Sequence, residues 1–305
     1  MLTLHITDEI SPLIAVVLGS AKSNGPTPSV EDAYDPKSRE HILAGTYPSE
    51  ADMVKELEGV AEVFERYGVK VFRPNVLENY NQIFARDISF VIEDKIIIAN
   101  ILPDREREIE ATEHVWSHVE KSFRIILPDA CHVEGGDVMP WYDHIFVGTY
   151  RGDDYADYIT ARTNMKAVEA LQNLFPHKKV KSFNLRKSNT DPRKNALHLD
   201  CCFQPIGKGK AIIHKESFLE VDEYEWLVNF FGKENCFHIT TDEMASMFSN
   251  IFSIAPDVIL SERNFTRLND WLRSEGFTVE EVAYGQIAKQ GGLLRCSTMP
   301  LVREG

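Results

Sequence analysis

ALHLDCCFQPIGKGKAIIH, Ala196–His214, holds two apolar runs, Leu199–Phe203 and Ala211–His214, on either side of Gly207, Lys208 and Gly209. Two short apolar runs joined by a glycine-bearing turn read as a β-hairpin. The same unit recurs on both sides of this stretch. Ile88–Ile92 and Lys95–Ala99 flank Glu93 and Asp94, Val138 and Ile145–Thr149 flank a turn, and Ile251–Ile254 and Val258–Leu260 flank Pro256 and Asp257. Leu293–Thr298 and Leu301–Val302 form a last, shortened pair around Pro300. Helix candidates lie between the pairs, at about 105–121, 164–175, 222–231 and 264–275, and Pro176, Gly232 and Gly276 stop the last three. Ahead of the first pair, Leu13–Leu18 (LIAVVL) reads as a buried strand. Ser49 opens an amphipathic helix with the stripe Met53, Leu57, Val60, Ala61 and Phe64, closed by Gly68. Val69–Phe72 is the next strand. The intervening Ser20–Pro48 is long for a loop, so it is either mobile or a lid over a site.

A polar residue stands at or near the head of each hairpin: Asp87, Glu134, His198, Asn250 and Cys296, spaced by 47, 64, 52 and 46 residues. A strand pair and a helix returning every 45–65 residues or so suggest a repeated α/β unit. A mixed α/β chain without internal repetition would also yield such a list.

The five heads include a thiol, an imidazole and two carboxylates. That is the inventory of a cysteine nucleophile with an acid/base and an orienting acid. Each has a plainer alternative. Cys296, in GGLLRCSTMP, is equally a buried structural cysteine. His198 and Asp200 share a face if ALHLDCCF is a strand, and would then be a satisfied polar pair at a sheet end. Glu134 and Asp137 bracket Gly135 and Gly136, ordinary turn chemistry. Asp87 beside Arg86 is a surface ion pair in its plainer form. His114 and His118 stand four apart on a helix candidate without an evident third metal ligand.

Composition narrows the field. The chain has 305 residues, room for one large domain or two, and 47 acidic against 33 basic residues give a net charge of −14. That balance argues against a broad basic surface for nucleic acid or anionic membrane. No apolar run approaches the roughly 20 residues of a spanning helix. The start, MLTLHITDEI, lacks the marks of a secretory signal, so a cytoplasmic protein is expected. Five cysteines without a CxxC pair or zinc spacing point to free thiols in a reducing compartment. No phosphate loop, GxSxG or HExxH is present.

FARD, VEGGDV, ALHLD and GGLLRC, in this order, resemble the guanidino-modifying penteins, which include arginine deiminases, dimethylarginine dimethylaminohydrolases and amidinotransferases. The resemblance runs from about residue 9 to 305 and takes in DEISPLIAVVLG, ARTNMKAVEAL, Ser249–Val279 and the tail RCSTMPLVRE. It implies the pentein fold, a pseudo-symmetric five-bladed α/β propeller in one domain over 1–305, with the active site on its axis and residues 20–48 as a lid. The N-terminal strand would complete the blade begun by the C-terminal one. It implies that Cys296 attacks a guanidinium carbon, that Asp87 and Asp200 bind the guanidinium nitrogens, and that His198 protonates the leaving amine and then activates water. Glu134 would orient His198, and Arg162, in ARTN, would bind a substrate carboxylate. Asp137 would be structural. Arg295 stands where relatives vary, and a helical insertion of longer deiminases has no room here.

The function so implied is a cysteine hydrolase of arginine or an arginine derivative, working through a covalent thiouronium without metal or cofactor. An amidinotransferase or a non-catalytic guanidine-binding member are the alternatives. The expected partner is a small guanidino molecule, with no nucleic acid or membrane. A homodimer is the commonest assembly on general grounds.

Overall fold

The computed structural model describes residues 2–155 and 157–305. Five three-stranded sheets share one plan. In each, a middle strand pairs antiparallel with one neighbour and parallel with the other, and a helix makes the parallel crossover. β1 (Leu13–Leu18) reaches its parallel partner β2 (Lys70–Phe72) through α1 (Pro36–Leu43) and α2 (Glu50–Arg66). The second sheet is β3 (Ser89–Ile92), β4 (Lys95–Ile98) and β5 (Arg124–Ile126), with α3 (Arg107–Trp116) crossing. The third is β6 (Val138–Trp141), β7 (His144–Thr149) and β8 (Lys179–Asn184), with α4 (Met165–Leu174). The fourth is β9 (Phe203–Ile206), β10 (Lys210–Ile213) and β11 (Cys236–His238), with α5 (Val221–Phe231). After the short α6 (Thr241–Ala245), the fifth joins β12 (Phe252–Ala255), β13 (Val258–Glu262) and β14 (Thr278–Val282) across α7 (Thr266–Ser274). Finally β15 (Thr298–Arg303) returns to lie antiparallel to β1 and completes the first sheet.

Local chemistry explains the elements. The Ser49 hydroxyl caps α2 by accepting from the Asp52 N–H, and Gly68 takes a left-handed φ of 70° just past its end. Met53, Leu57, Val60 and Phe64 face the core as their spacing predicts. In β1, Val16 and Leu18 join one apolar cluster and Ala15 and Val17 another, so the strand is covered on both faces.

Three expectations need correction. Leu199–Cys201 is a single 3₁₀ turn and the strand starts at Phe203, so His198 and Asp200 do not share a strand face. Leu293–Ser297 forms a helical turn in which the Ser297 N–H donates to the Leu293 carbonyl, and no hairpin bends at Pro300. β15 runs through Pro300, which the first sheet accommodates because β15 is its edge strand. The stretch 20–48 also contains α1, started by Asp35, whose carboxylate accepts from the Lys37 and Ser38 N–H groups. Among the described residues, no helix is long and apolar enough to cross a membrane.

Candidate active site

Each sheet is preceded by one of the five heads. Asp87 comes before β3, Glu134 before β6, His198 before β9, Asn250 before β12 and Cys296 before β15. All five are buried, and side-chain contacts join them into two groups. His198 Nε2 lies 2.7 Å from Glu134 Oε2, and its Nδ1 lies 3.7 Å from Asp87 Oδ1. Asn250 donates from Nδ2 to Cys296 Sγ at 3.1 Å and accepts the Cys296 N–H on Oδ1 at 3.1 Å. Asp200 Oδ2 is 3.6 Å from the same sulfur. Its carboxylate also lies within 4.8 Å of a His198 nitrogen, which ties the two groups together.

The backbone holding His198 is shaped by the EGGD stretch. A side chain on Gly136 would sit 2.7 Å from His198 Nδ1, so only glycine lets the imidazole lie there. Asp137 Oδ1 accepts the Leu199 N–H at 2.8 Å and so fixes the 3₁₀ turn that follows His198. The motif is a seat for the histidine as well as a turn.

Buried arginines brace the carboxylates. Arg105 donates from Nη1 to Asp87 Oδ2 at 2.9 Å and grips Glu108 with Nε and Nη2 at 2.7 and 3.0 Å. Arg162 donates from Nη1 to both Glu134 oxygens at 3.1 and 3.0 Å, from Nη2 to the Tyr34 carbonyl and from Nε to the Ile159 carbonyl. Arg295 donates to Asp200 Oδ2 at 2.9 Å and forms a two-pronged pair with Glu9 at 3.1 and 3.0 Å. Sequence reading named Arg162 for a substrate carboxylate; in the structure this guanidinium is committed to Glu134 and to the 20–48 segment. It took Pro103–Ala111 for a solvated helix face, whereas Arg105 and Glu108 on that stretch are buried; it passed over Glu9 and gave Asn250 no role.

The charges follow from these contacts. Burial opposes ionisation of Glu134, but Arg162 and the His198 contact outweigh it and hold the carboxyl well below its usual range. Burial likewise opposes the imidazolium of His198, yet Asp87 and the Glu134 hydrogen bond raise it to about 9. His198 is therefore protonated at neutral pH. Burial, with the charges of Asp200 and Asp87, pushes the Cys296 thiol up and so favours the thiol over the thiolate. Asp87 is raised by burial, only partly offset by His198 and Arg105.

Of these residues, Asp87, Arg105, Glu108, Arg162, His198 and Cys296 line a cavity of about 350 Å³. Asp87, His198 and Cys296 are buried at its floor, while Asp32 and Asp104 are exposed at its rim. Residues of the 20–48 segment form much of one wall. Two buried polar atoms at the floor lack a partner, Asp87 Oδ1 and His198 Nδ1. Asp87, Glu134 and His198 bring ligand atoms within 4.8 Å of one another, as do His198, Asp200 and Cys201. Arg105, Arg162 and Arg295 already sit on those carboxylates, so a divalent cation would meet guanidinium charge on every side.

Known proteins fit this picture. The uncharacterized protein YkgA of Bacillus subtilis is 28% identical over 223 residues, covering 73% of this chain and 70% of that protein. An arginine deiminase of Limosilactobacillus reuteri is 26% identical over 273 residues, and the match covers 73% of this chain but 62% of the deiminase. Among solved structures, the amidinotransferase SxtG of the Microseira wollei saxitoxin pathway superposes with a TM-score of 0.78 at 18% identity, covering 99% of this chain and 98% of that one. That likeness shows the fold. The family described as N,N dimethylarginine dimethylhydrolase, eukaryotic, matches residues 45–303, most of the sequence. With the five-sheet fold and the motifs in their order, this match settles kinship: the chain belongs to the N,N dimethylarginine dimethylhydrolase family, within the pentein superfamily.

Proposed function

We propose that the chain is a cysteine-dependent hydrolase acting on the guanidino group of arginine or an arginine derivative. The observation that carries this reading is the cavity floor, where the Cys296 sulfur, the His198 imidazole and the unpartnered Oδ1 of Asp87 converge with Asp200 beside the sulfur. A planar cation with several N–H donors would satisfy the carboxylates in its plane and leave its carbon facing the sulfur. The same cation would neutralise Asp87 and Asp200, the charges that hold Cys296 as a thiol, and so favour the thiolate on binding.

The Cys296 thiol releases its proton to solvent as the cation binds, and the thiolate sulfur forms a C–S bond to the guanidinium carbon. The C–N bond to the leaving amine breaks as His198 gives that nitrogen its proton. Water attacks the resulting thiouronium, His198 takes the proton, and the C–S bond breaks to leave a ureido product. Glu134 keeps His198 in its charged form and orientation, and Arg162 keeps Glu134 ionised. Residues 1–305 act as one domain in this reading, with 20–48 as the lid.

An amidinotransferase would use the same steps to the thiouronium and replace water by an acceptor amine. The protein is therefore incubated with arginine, methylated arginines and citrulline, with and without glycine or ornithine, and assayed for citrulline, ammonia, methylamines and guanidinoacetate. Product that depends on the added amine overturns hydrolysis in favour of transfer. No turnover of any guanidino or ureido compound points to a binding protein. Cys296→Ala is expected to abolish turnover, and an undiminished rate would contradict the mechanism.

A further inference from the structure

His198 has one ring nitrogen to spare for a proton transfer. Nε2 is taken by Glu134 at 2.7 Å, while Nδ1 is buried without a hydrogen-bond partner. With a single side-chain bond, the aim of the ring depends on where the backbone on either side of His198 lies. After it, Asp137 holds the Leu199 N–H at 2.8 Å. Before it stands a residue with no role so far. The Lys187 Nζ donates to the carbonyls of Ala196 and Leu197 at 2.8 and 2.7 Å, the two residues that lead into His198. Lys187 is only 9% exposed, and among the described residues it forms no ion pair. Its own backbone is tied down in turn. The Lys187 carbonyl accepts from the Tyr158 hydroxyl at 3.1 Å, the Ala196 N–H donates to the Arg186 carbonyl at 2.9 Å, and the Ser188 N–H donates to Asn195 Oδ1 at 3.1 Å. Burial lowers the Lys187 pKa, with Asp137 the main charge working the other way. A buried amine without a paired carboxylate is a poor source of stability. What it supplies here is a fixed path for the chain into His198.

Resting on the guanidine-modifying reading, we propose that Lys187 is a positioning residue for proton transfer from His198: it holds the two carbonyls ahead of the imidazole so that Nδ1 points at the leaving nitrogen of the substrate. Lys187 and Asp137 clamp the histidine from both sides, one through two carbonyls and the other through an N–H. Lys187 is not among the residues that line the cavity, so it acts through His198 and not on the substrate. The step it serves is breakage of the C–N bond, in which the bonding pair goes to the leaving nitrogen and Nδ1 gives that nitrogen its proton. A leaving group that departs as a stable anion needs no proton there, and its release is independent of Lys187.

The test compares two kinds of leaving group on the full chain. One substrate is arginine or Nω-methylarginine, whichever the wild type turns over faster. The other is S-methylthiocitrulline, the same skeleton with a methylthio group in place of the departing amine. The amine has to be protonated to leave, whereas methanethiolate departs as an anion. Rapid-quench measurement of the first turnover reads leaving-group release before water enters. Lys187→Met is expected to slow amine release by about tenfold to a hundredfold, the scale of a misaligned catalytic group. KM and the release of methanethiol stay within about twofold of the wild type. Lys187→Arg, which keeps the donors, is expected to recover part of the loss. Equal slowing of both leaving groups, or slowing of neither, overturns the role and leaves the guanidine chemistry intact. A wild type inert towards all of these compounds overturns the catalytic reading, and this role with it. If Lys187→Met shows no cooperative melting, Lys187→Gln, which keeps one donor group, is read by the same ratio.

Discussion

Cys296 meets Asn250 twice, through its backbone N–H and through its sulfur. The amide thus fixes where the thiol points and gives a developing thiolate a donor. Asn250→Ala removes both contacts and leaves a buried N–H open, a loss of about 1–3 kcal/mol. The expected result is a fall in kcat of about tenfold to a hundredfold, with alkylation of Cys296 by iodoacetamide shifted to higher pH. His198 gives a second prediction. Its folded value of about 9 exceeds the ordinary 6.5, so its contribution to stability is complete below about 6.5 and is lost as the pH rises through about 9. Thermal melting of the wild type should therefore decline relative to His198→Gln across that window. A flat difference between the two would contradict a charged, buried imidazole. The heads Asp87, Glu134, His198, Asn250 and Cys296 were legible in the sequence because each occupies the same place in a repeating unit. Their braces were not. Glu9 lies ahead of the repeat, Arg105 sits in a charged stretch that reads as a solvated helix face, and Arg162 was marked by its motif for a different partner; nothing local marks a guanidinium that will turn inward to a distant carboxylate.

At the scale of elements, the EGGD stretch and the turn after His198 behave as one part. Gly136 lies against the imidazole, and Asp137 holds the Leu199 N–H. Gly136→Ala would push its methyl into the ring, and is expected to cut kcat at least about a hundredfold, some 2.7 kcal/mol, while circular dichroism stays near that of the wild type. Retention of full activity would show that the ring has room to move. Sequence patterning found the antiparallel pairs and the helices, because both carry strong apolar periodicity. It missed β5, β8, β11 and β14, the outer parallel strands. Arg124–Ile126 and Cys236–His238 have three residues each and are half-exposed, too short to show alternation. It also extended strands back over Leu199–Cys202 and Leu293–Ser297, because apolar residues in a buried helical turn look the same as in a strand.

Across the whole molecule, the chain closes on itself where β15 pairs with β1. The closure brings Glu9 onto Arg295, next to the nucleophile. Burial works against the Glu9 carboxylate, but Arg295 and Arg86 more than offset it and keep it ionised. Glu9→Gln would leave the fully buried Arg295 with Asp200 as its remaining anion. The expected destabilisation is about 3–5 kcal/mol, as for other buried pairs broken on one side, read as a lower midpoint in urea. Thiol alkylation should report a disturbed Cys296 in the same variant. A midpoint within error of the wild type would mean that water reaches this region.

The pairing of β15 with β1 also sets a timetable. On a ribosome, β1 emerges almost a whole chain ahead of the strand that covers one of its edges. Until then one edge of β1 has no strand partner and remains available to other chains. The nucleophile is carried by the same late segment. A nascent chain halted before Thr298 would therefore be aggregation-prone and incompletely closed, and a chaperone that guards an early strand edge would gain most by staying until translation has passed β15.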